Sequence, residues 1–340
     1  MRRILAGDVR DVLCFQPGER PVFCLTFSNG EKLVVKAEIK TSSGHATQSI
    51  PLAGAMMKQV SPSMQIEMLD DREFRELKRL AESPERFRQP NSAEAARAYL
   101  ELYTSPEAQP INAYYKMPFV DRLTDITKGS PALTLLRLKK PPALFSFGKI
   151  VAVDLFIGNN DRFNAMGELV NPDNLLFQQV GGSITPMGLD FFQAQGEAAN
   201  LLVGPPENQV VSRQKRIFKY LWGGENLLNE NNLRFFAEKA IDSLNDYFSQ
   251  QNMRQIRTLL GPDDVNQFVH GMREGTKDLK QFLVTRGGLP EGVRIRMDRF
   301  NWPYNTAIPP RPVKPAPFRK FVTANPIVNR RPGPTIGSRG

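Results

Sequence analysis

The sequence predicts an α+β fold in two lobes, with a sheet-rich front and a mostly helical rear. Three observations carry that prediction. Between Asp11 and Ala37 the short apolar runs VLCF, PVFCLTF and KLVVKA are separated by QPGER and SNGEK, and Pro-Gly and Asn-Gly are hairpin turn chemistry. Beyond Leu201 apolar residues recur at helical spacing between Gly-Gly, Asn and Gly-Pro-Asp breaks. The length, 340 residues, suits two units of ordinary domain size.

The elements follow in order. Phe23, Leu25 and Phe27 alternate as a half-buried strand requires, and Lys36 closes the third run after Leu33, Val34 and Val35. The polar stretch TSSGHATQS leads into SIPLAGAMMKQV, whose spacing predicts a short helix with Met56 and Met57 in the core, and PSMQIEML reads as another strand. Residues 70–104 change character: charged outer faces and a cap at Asp70 or Asp71 predict an inserted helical pair. NAYYKMPFV, at 112–120, is strand-like, and after DRLTD the run from PALTLL to FIGNN is helical. A hairpin is expected in the block that follows, then KRIFKYLW, NNLRFFAEKAIDSLNDYFSQ, MRQIRTLL and VNQFVHGMREGTKDLKQFLV as helices.

Composition excludes several function classes. Cys14 and Cys24 sit in apolar strand-like surroundings and read as buried reduced thiols. With His45 and His270 the only histidines, no zinc spacing exists and a Ser-His-Asp triad has few ways to form. No apolar run reaches the roughly 18 residues of a membrane span, and MRRILAGDVRDVL is broken too early for a signal peptide, so a soluble cytoplasmic chain is expected. Of the net charge of +10, +7 lies in residues 311–340, which hold no acid, and eight prolines fall between 309 and 334. Residues 301–340 therefore read as an extended or disordered basic tail, suited to a solvated arm or to an acidic surface, a nucleic acid or a proline-reading partner.

The densest chemistry lies between 154 and 192, DLFIGNNDRFNAMGELVNPDNLLFQQVGGSITPMGLDFF. Asp161 follows an apolar helix, Asn174 precedes the apolar run LLF, and Asp190 follows a second short run after a Gly-Gly turn. A hairpin brings Asn174 and Asp190 side by side. An amide oxygen and a carboxylate there are hard ligands suited to Mg²⁺, and Asp161 nearby can orient a hydroxyl nucleophile. Each piece alone is common: Asp161 and Arg162 also read as a local ion pair, and Asp190 as a turn acceptor.

Taken together, Asn-x-Asp-Arg, an Asn before one strand and an Asp ending the next resemble the catalytic segment of atypical kinases of the phosphatidylinositol 3-/4-kinase-like and HipA-like groups. The resemblance spans about residues 10–285. It implies a protein-kinase-like fold, with residues 1–116 as an N-lobe carrying the 70–104 insert and 117–300 as hinge and helical C-lobe. It implies ATP and Mg²⁺ as cofactors: Lys36 on the α/β-phosphates, Met117, Phe119 and Val120 meeting adenine, Asp161 as the catalytic aspartate, and Asn174 and Asp190 on the metal. The sequence departs from the pattern in places. Met166 stands where the family's metal-binding Asn is usual, leaving Asn164 or Asn174, and Phe163 stands where a His is common. No glutamate is singled out as partner of Lys36, with Glu38, Glu67 and residues of the insert all open, and no glycine-rich loop of the G-x-G-x-x-G type is present, though SSGH at 42–45 has backbone amides to offer.

The function expected is phosphoryl transfer to a hydroxyl of a protein substrate, with lipid and small-molecule acceptors less favoured and an activating partner allowed for. By analogy alone, such a kinase suits a bacterial effector or toxin secreted into a host. The other readings are a pseudokinase or interaction module, a protein nucleotidyltransferase, and a nucleic-acid-binding protein working through the basic tail.

Overall fold

The computed structural model describes residues 1–15, 21–39, 46–61, 65–102, 112–127, 130–157, 159, 161–164, 167–189, 230–251 and 259–285. The basic tail, the SSGH loop, KRIFKYLW, all of MRQIRTLL but its two leucines, and Asp190 lie outside them. The α+β expectation is met, with an antiparallel sheet in front and helices behind.

The front holds β1 (Val9–Phe15), β2 (Val22–Phe27), β3 (Lys32–Ile39), α1 (Ala46–Val60), β4 (Glu67–Met68), α2 (Asp71–Ala81), α3 (Pro90–Leu102) and β5 (Asn112–Pro118). Its five strands form one antiparallel sheet in the order β1-β2-β3-β5-β4. The Asn29-Gly30 turn joins β2 to β3: Gly30 stands at φ +86, where a Cβ is disfavoured, and Asn29 Oδ1 accepts from the Glu31 N–H at 3.0 Å. The strand expected in PSMQIEML shrinks to two residues, with 62–64 outside the described residues. Helix α2 starts where the sequence placed its cap, Asp70 Oδ1 accepting the Glu73 N–H at 2.8 Å, with acids in its first turn and Lys78 and Arg79 in its last to suit the helix dipole.

The sheet has two covered faces, and strand alternation decides what each receives. Cys14, Phe23, Leu25, Leu33, Val35 and Tyr114 face α2 and α3, whose Leu77, Leu80, Ala93, Ala96 and Leu100 complete that core. The inserted pair is therefore a wall of the fold, each large side chain contributing roughly 1.5–3 kcal/mol of burial. On the opposite face, Tyr115 and Met117 join Met56 and Met57 of α1 in a second core that continues into the helical rear. Both cysteines are buried and reduced, and burial pushes the Cys14 thiol up to about 12.

The rear holds β6 (Leu123–Asp125), α4 (Pro131–Leu138), α5 (Pro141–Ile157), β7 (Leu176–Val180), β8 (Ser183–Met187), α6 (Glu230–Gln250) and α7 (Pro262–Thr285). Ser130 caps α4, accepting the Leu133 N–H at 3.4 Å, and Pro131 takes the first helical position, where its missing N–H costs nothing. Helix α5 is apolar on all sides and lies at the centre, as such a helix must. It meets α7 along glycines: a Cβ at Gly148 would strike the Phe268 carbonyl, one at Gly271 the Phe145 carbonyl, and one at Gly275 would stand 2.7 Å from Lys149 Cα. Strands β6, β7 and β8 form a small antiparallel sheet in that order. The β7–β8 hairpin is the expected one, turning through Gly181 and Gly182 at positive φ, whereas no element was expected at β6.

Candidate active site

The site grows from the C-terminal turn of α5. Asp154 is the one charged side chain in IVAVDLFI, and it is 3% exposed. A buried carboxylate needs partners, and Asp154 has two. Asn159 Nδ2 donates to its Oδ1 at 2.8 Å, and Arg162 Nη1 stands 2.6 Å from both its oxygens. Burial pushes the Asp154 carboxyl above its ordinary value, while the Arg162 guanidinium and the Asn159 amide pull it back down. Asn159 also reaches forward, its Oδ1 accepting the Asp161 N–H at 3.3 Å.

Arg162, 1% exposed, is the hub of this region. Its Nε donates to the Asn174 carbonyl at 3.0 Å, and its Nη2 to the Leu189 carbonyl. Of the two readings of the Asp161-Arg162 dipeptide, the local ion pair gives way to the pair with Asp154, eight residues upstream. The Phe163 ring, next in sequence, packs between Phe147 and Phe236, with centroids 5.8 and 6.5 Å away, so the apolar residue where a histidine is common serves as core.

Asn174 ends a single 3-10 turn, Pro172–Asn174, which Asn171 caps by accepting the Asp173 N–H at 3.2 Å. The turn delivers the buried Asn174 amide to Asp161, Nδ2 donating to Asp161 Oδ2. Asn164, the alternative in sequence, is occupied elsewhere: its Nδ2 donates to Glu168 Oε2 at 2.7 Å and its Oδ1 accepts the Glu168 N–H at 3.0 Å. Asp161 and Asn174 are thus brought together, and Arg162 binds the residue before Asp190.

The other expected residues lie on the front sheet and in the chain that follows it. In the register of β2, β3 and β5, Cys24, Val34 and Met117 share one row, and Val22, Lys36 and Tyr115 share the next row on the same face. A pocket of about 330 Å³ opens at the first row, lined by Val34, Met117, Phe119, Val120, Arg122 and Leu189 among others. Phe119 lies under the Lys32 ammonium, 4.8 Å from its ring centroid, and Arg122 holds a left-handed φ of 55 at the mouth. Leu189 belongs to both, lining the pocket and giving its carbonyl to Arg162.

Lys36 is half-buried on that face. Two of the open candidates for its glutamate are committed to another lysine. Lys116, one strand over and on the opposite face, lies 2.6 Å from Glu73 and 3.4 Å from Glu67. Sequence reasoning missed Asp154 and Leu189, and held Asn159 and Arg162 only as parts of the Asn-x-Asp-Arg motif, with no role beyond a local ion pair for Arg162. A lone Asp inside an apolar helix was the available signal, since such a charge must be paired. Nothing in the linear order announced the contacts of Arg162 with carbonyls 12 and 27 residues ahead. Among the described residues no group of three or more His, Cys, Asp or Glu is placed to hold a metal, and no helix is long and apolar enough to cross a membrane.

No family model matches the sequence, and neither does any curated protein. Among solved structures, the chain is similar to a Golgi casein kinase at 12% identity over 82% of this chain and 73% of that one, with a TM-score of 0.30. The same kinase with Mn/ADP bound matches at 11% identity over 82% and 74%, also at 0.30. A MAP kinase of Leishmania major matches at 11% identity over 86% and 92%, at 0.22. At TM-scores this low the likeness carries no argument, and the chemistry has to be read from the chain's own geometry.

Proposed function

We propose that the protein is a Mg·ATP-dependent phosphotransferase of kinase type acting on a hydroxyl of a protein substrate. One observation carries the reading: Leu189 joins an apolar, base-sized pocket to the buried cluster that holds Asp161 and Asn174 together. A planar nucleobase suits a slot bounded by Val34, Met117 and Leu189, with the chain at 117–120 along its edge. Lys36 lies two residues along β3 from Val34 on the same face, about 7 Å further, where phosphates of a nucleotide seated in the slot would run.

The residues fit a hard divalent cation. With its amide nitrogen committed to Asp161, Asn174 has a neutral oxygen left to give, and Asp190, one residue past Leu189, adds a carboxylate. A cation bound there would neutralise charge on the phosphate oxygens. Asp161 holds the acceptor hydroxyl and takes its proton as the acceptor oxygen bonds to the γ-phosphorus. The bond from that phosphorus to the bridging oxygen breaks, and ADP leaves with the electron pair. Lys36 steadies the negative charge on the phosphates throughout.

The test is intact-mass and peptide mass spectrometry of the protein incubated with Mg·ATP and a cell lysate. A phosphate gained on a protein side chain, reduced about 100-fold or more in Asp161→Ala and in Asp190→Ala, is the expected result. Transfer at wild-type rate in either variant sinks the assignment. An AMP adduct instead makes the reaction nucleotidyl transfer on the same site.

A further inference from the structure

We infer that Arg162 is the positioning residue of this site, the group that sets Asn174 and the segment entering Asp190 in register with Asp161. The inference rests on the phosphotransferase reading and adds to it a residue that touches neither nucleotide nor acceptor. One guanidinium joins three separate pieces of chain: Asp154 on α5, the Asn174 carbonyl before β7 and the Leu189 carbonyl after β8. Its own backbone follows Asp161 directly, so the same residue is fixed to the base of the reaction on one side and to both outgoing strand ends on the other.

The chemistry of the side chain explains why arginine stands there. The two carbonyls and the carboxylate lie in three directions, and a planar fork with five N–H donors reaches all of them at once. A lysine ammonium carries the same charge on a compact head and cannot span them. One of the carbonyls belongs to Asn174 itself, so any slack in that bond is passed to the side chain nominated for the cation. Displacements of about 1 Å in such a constellation cost about 100-fold in rate. Asp154 and Asn159 complete the device, Asp154 holding the fork and Asn159 holding Asp154.

This geometry separates two kinds of binding. The nucleobase slot is built from Val34 of β3, the end of β5 and the chain after it, and of its lining only Leu189 is bonded to Arg162. At the cation end Arg162 holds the Asn174 backbone directly. Loosening the fork should therefore weaken cation-dependent steps and leave metal-free nucleotide binding nearly intact.

The experiment uses the full chain as wild type, Arg162→Lys and Asp154→Asn. ADP affinity is measured in EDTA, then as a function of Mn²⁺ with the Mn²⁺ electron paramagnetic resonance spectrum recorded, and transfer kinetics follow. Arg162→Lys is expected to bind metal-free ADP within about 3-fold of wild type, to need about 10- to 100-fold more Mn²⁺, to alter the Mn²⁺ spectrum and to lower kcat by about 100-fold. Asp154→Asn moves the same quantities in the same direction by less. Wild-type Mn²⁺ dependence in a variant that still binds ADP overturns the inference, and so does parallel loss of metal-free ADP binding in both variants, which makes Arg162 a folding residue only. If the wild type itself binds no ADP with or without Mn²⁺, the phosphotransferase reading fails before the variants are compared.

Discussion

Two lysines on neighbouring strands of the front sheet illustrate how differently the same residue can be used. Lys36 on β3 and Lys116 on β5 lie one register row apart, Lys36 beside Tyr115 and Lys116 beside Val35, and so they point to opposite faces. Lys116 is 4% exposed between the sheet and α2, bonded to Glu73, itself 3% exposed, with a further bond to the Arg2 carbonyl at 3.1 Å. Lys36 is half-buried on the face that carries the pocket. The better-made ion pair is therefore on the face away from the pocket. A buried lysine-glutamate pair in such a sheet is weak evidence of chemistry unless its face is known.

The comparison can be broken most forcefully at Glu73. Glu73→Ala strands the Lys116 charge in the core and also removes the acceptor of the Ile4 N–H, held at 2.9 Å, at a cost of about 3–5 kcal/mol. Chemical denaturation should register that loss while metal-free ADP still binds. Replacing both partners by apolar residues, Lys116→Met with Glu73→Leu, should restore the part of the stability due to the stranded charge, with the Ile4 N–H still lacking its acceptor. A double variant as unstable as Glu73→Ala would mean the pair does more than fill the core.

Lys36→Ala is the converse. Transfer should fall by about 100-fold, as for loss of one charge-stabilising donor, with stability changed by less than about 1 kcal/mol. Steady-state kinetics beside a denaturation curve decides it. Equal effects of Lys36→Ala and Glu73→Ala on both readouts would erase the distinction between the two faces.

The smallest effect is a pH dependence on the Lys116 face. Burial works against ionised Glu67, but the hydrogen bond from the N-terminal ammonium and the charge of Lys116 outweigh it and hold its carboxyl below the ordinary 4.5. A carboxyl lowered in the folded state stabilises it above the unfolded value and loses that contribution as pH falls through the folded one. Glu67→Gln should melt below wild type at pH 7, and the gap should close as pH drops below about 4. A gap constant down to pH 3 would remove Glu67 from the ionic network.

The β2–β3 and β7–β8 hairpins were legible because their turns are chemical signatures: Asn29-Gly30 and Gly181-Gly182 mark them without help from tertiary contacts. Strand β6 was not, since three residues of DRLTD give no alternation to read and pairing with β7 alone makes them a strand. Both faces of β5 are covered, leaving Tyr114 and Tyr115 buried side by side, so NAYYKMPFV carries no alternation to reveal that Lys116 points away from the pocket. At the site, Asp161 and Asn174 could be nominated from their places beside apolar runs. The role of Arg162 could not, because besides Asp154 its partners are two backbone carbonyls, and any residue type supplies those.

The glycine seam between α5 and α7 bears on how this site keeps time. Helices whose backbones touch leave no gap for water to reach their amides except by wholesale opening of the fold. Hydrogen exchange should be slowest there, along the face of α5 that holds Gly148 against Phe268. Asp154 lies less than two turns further along the same helix. The fastest chemistry of the molecule would then be anchored in its slowest-breathing element.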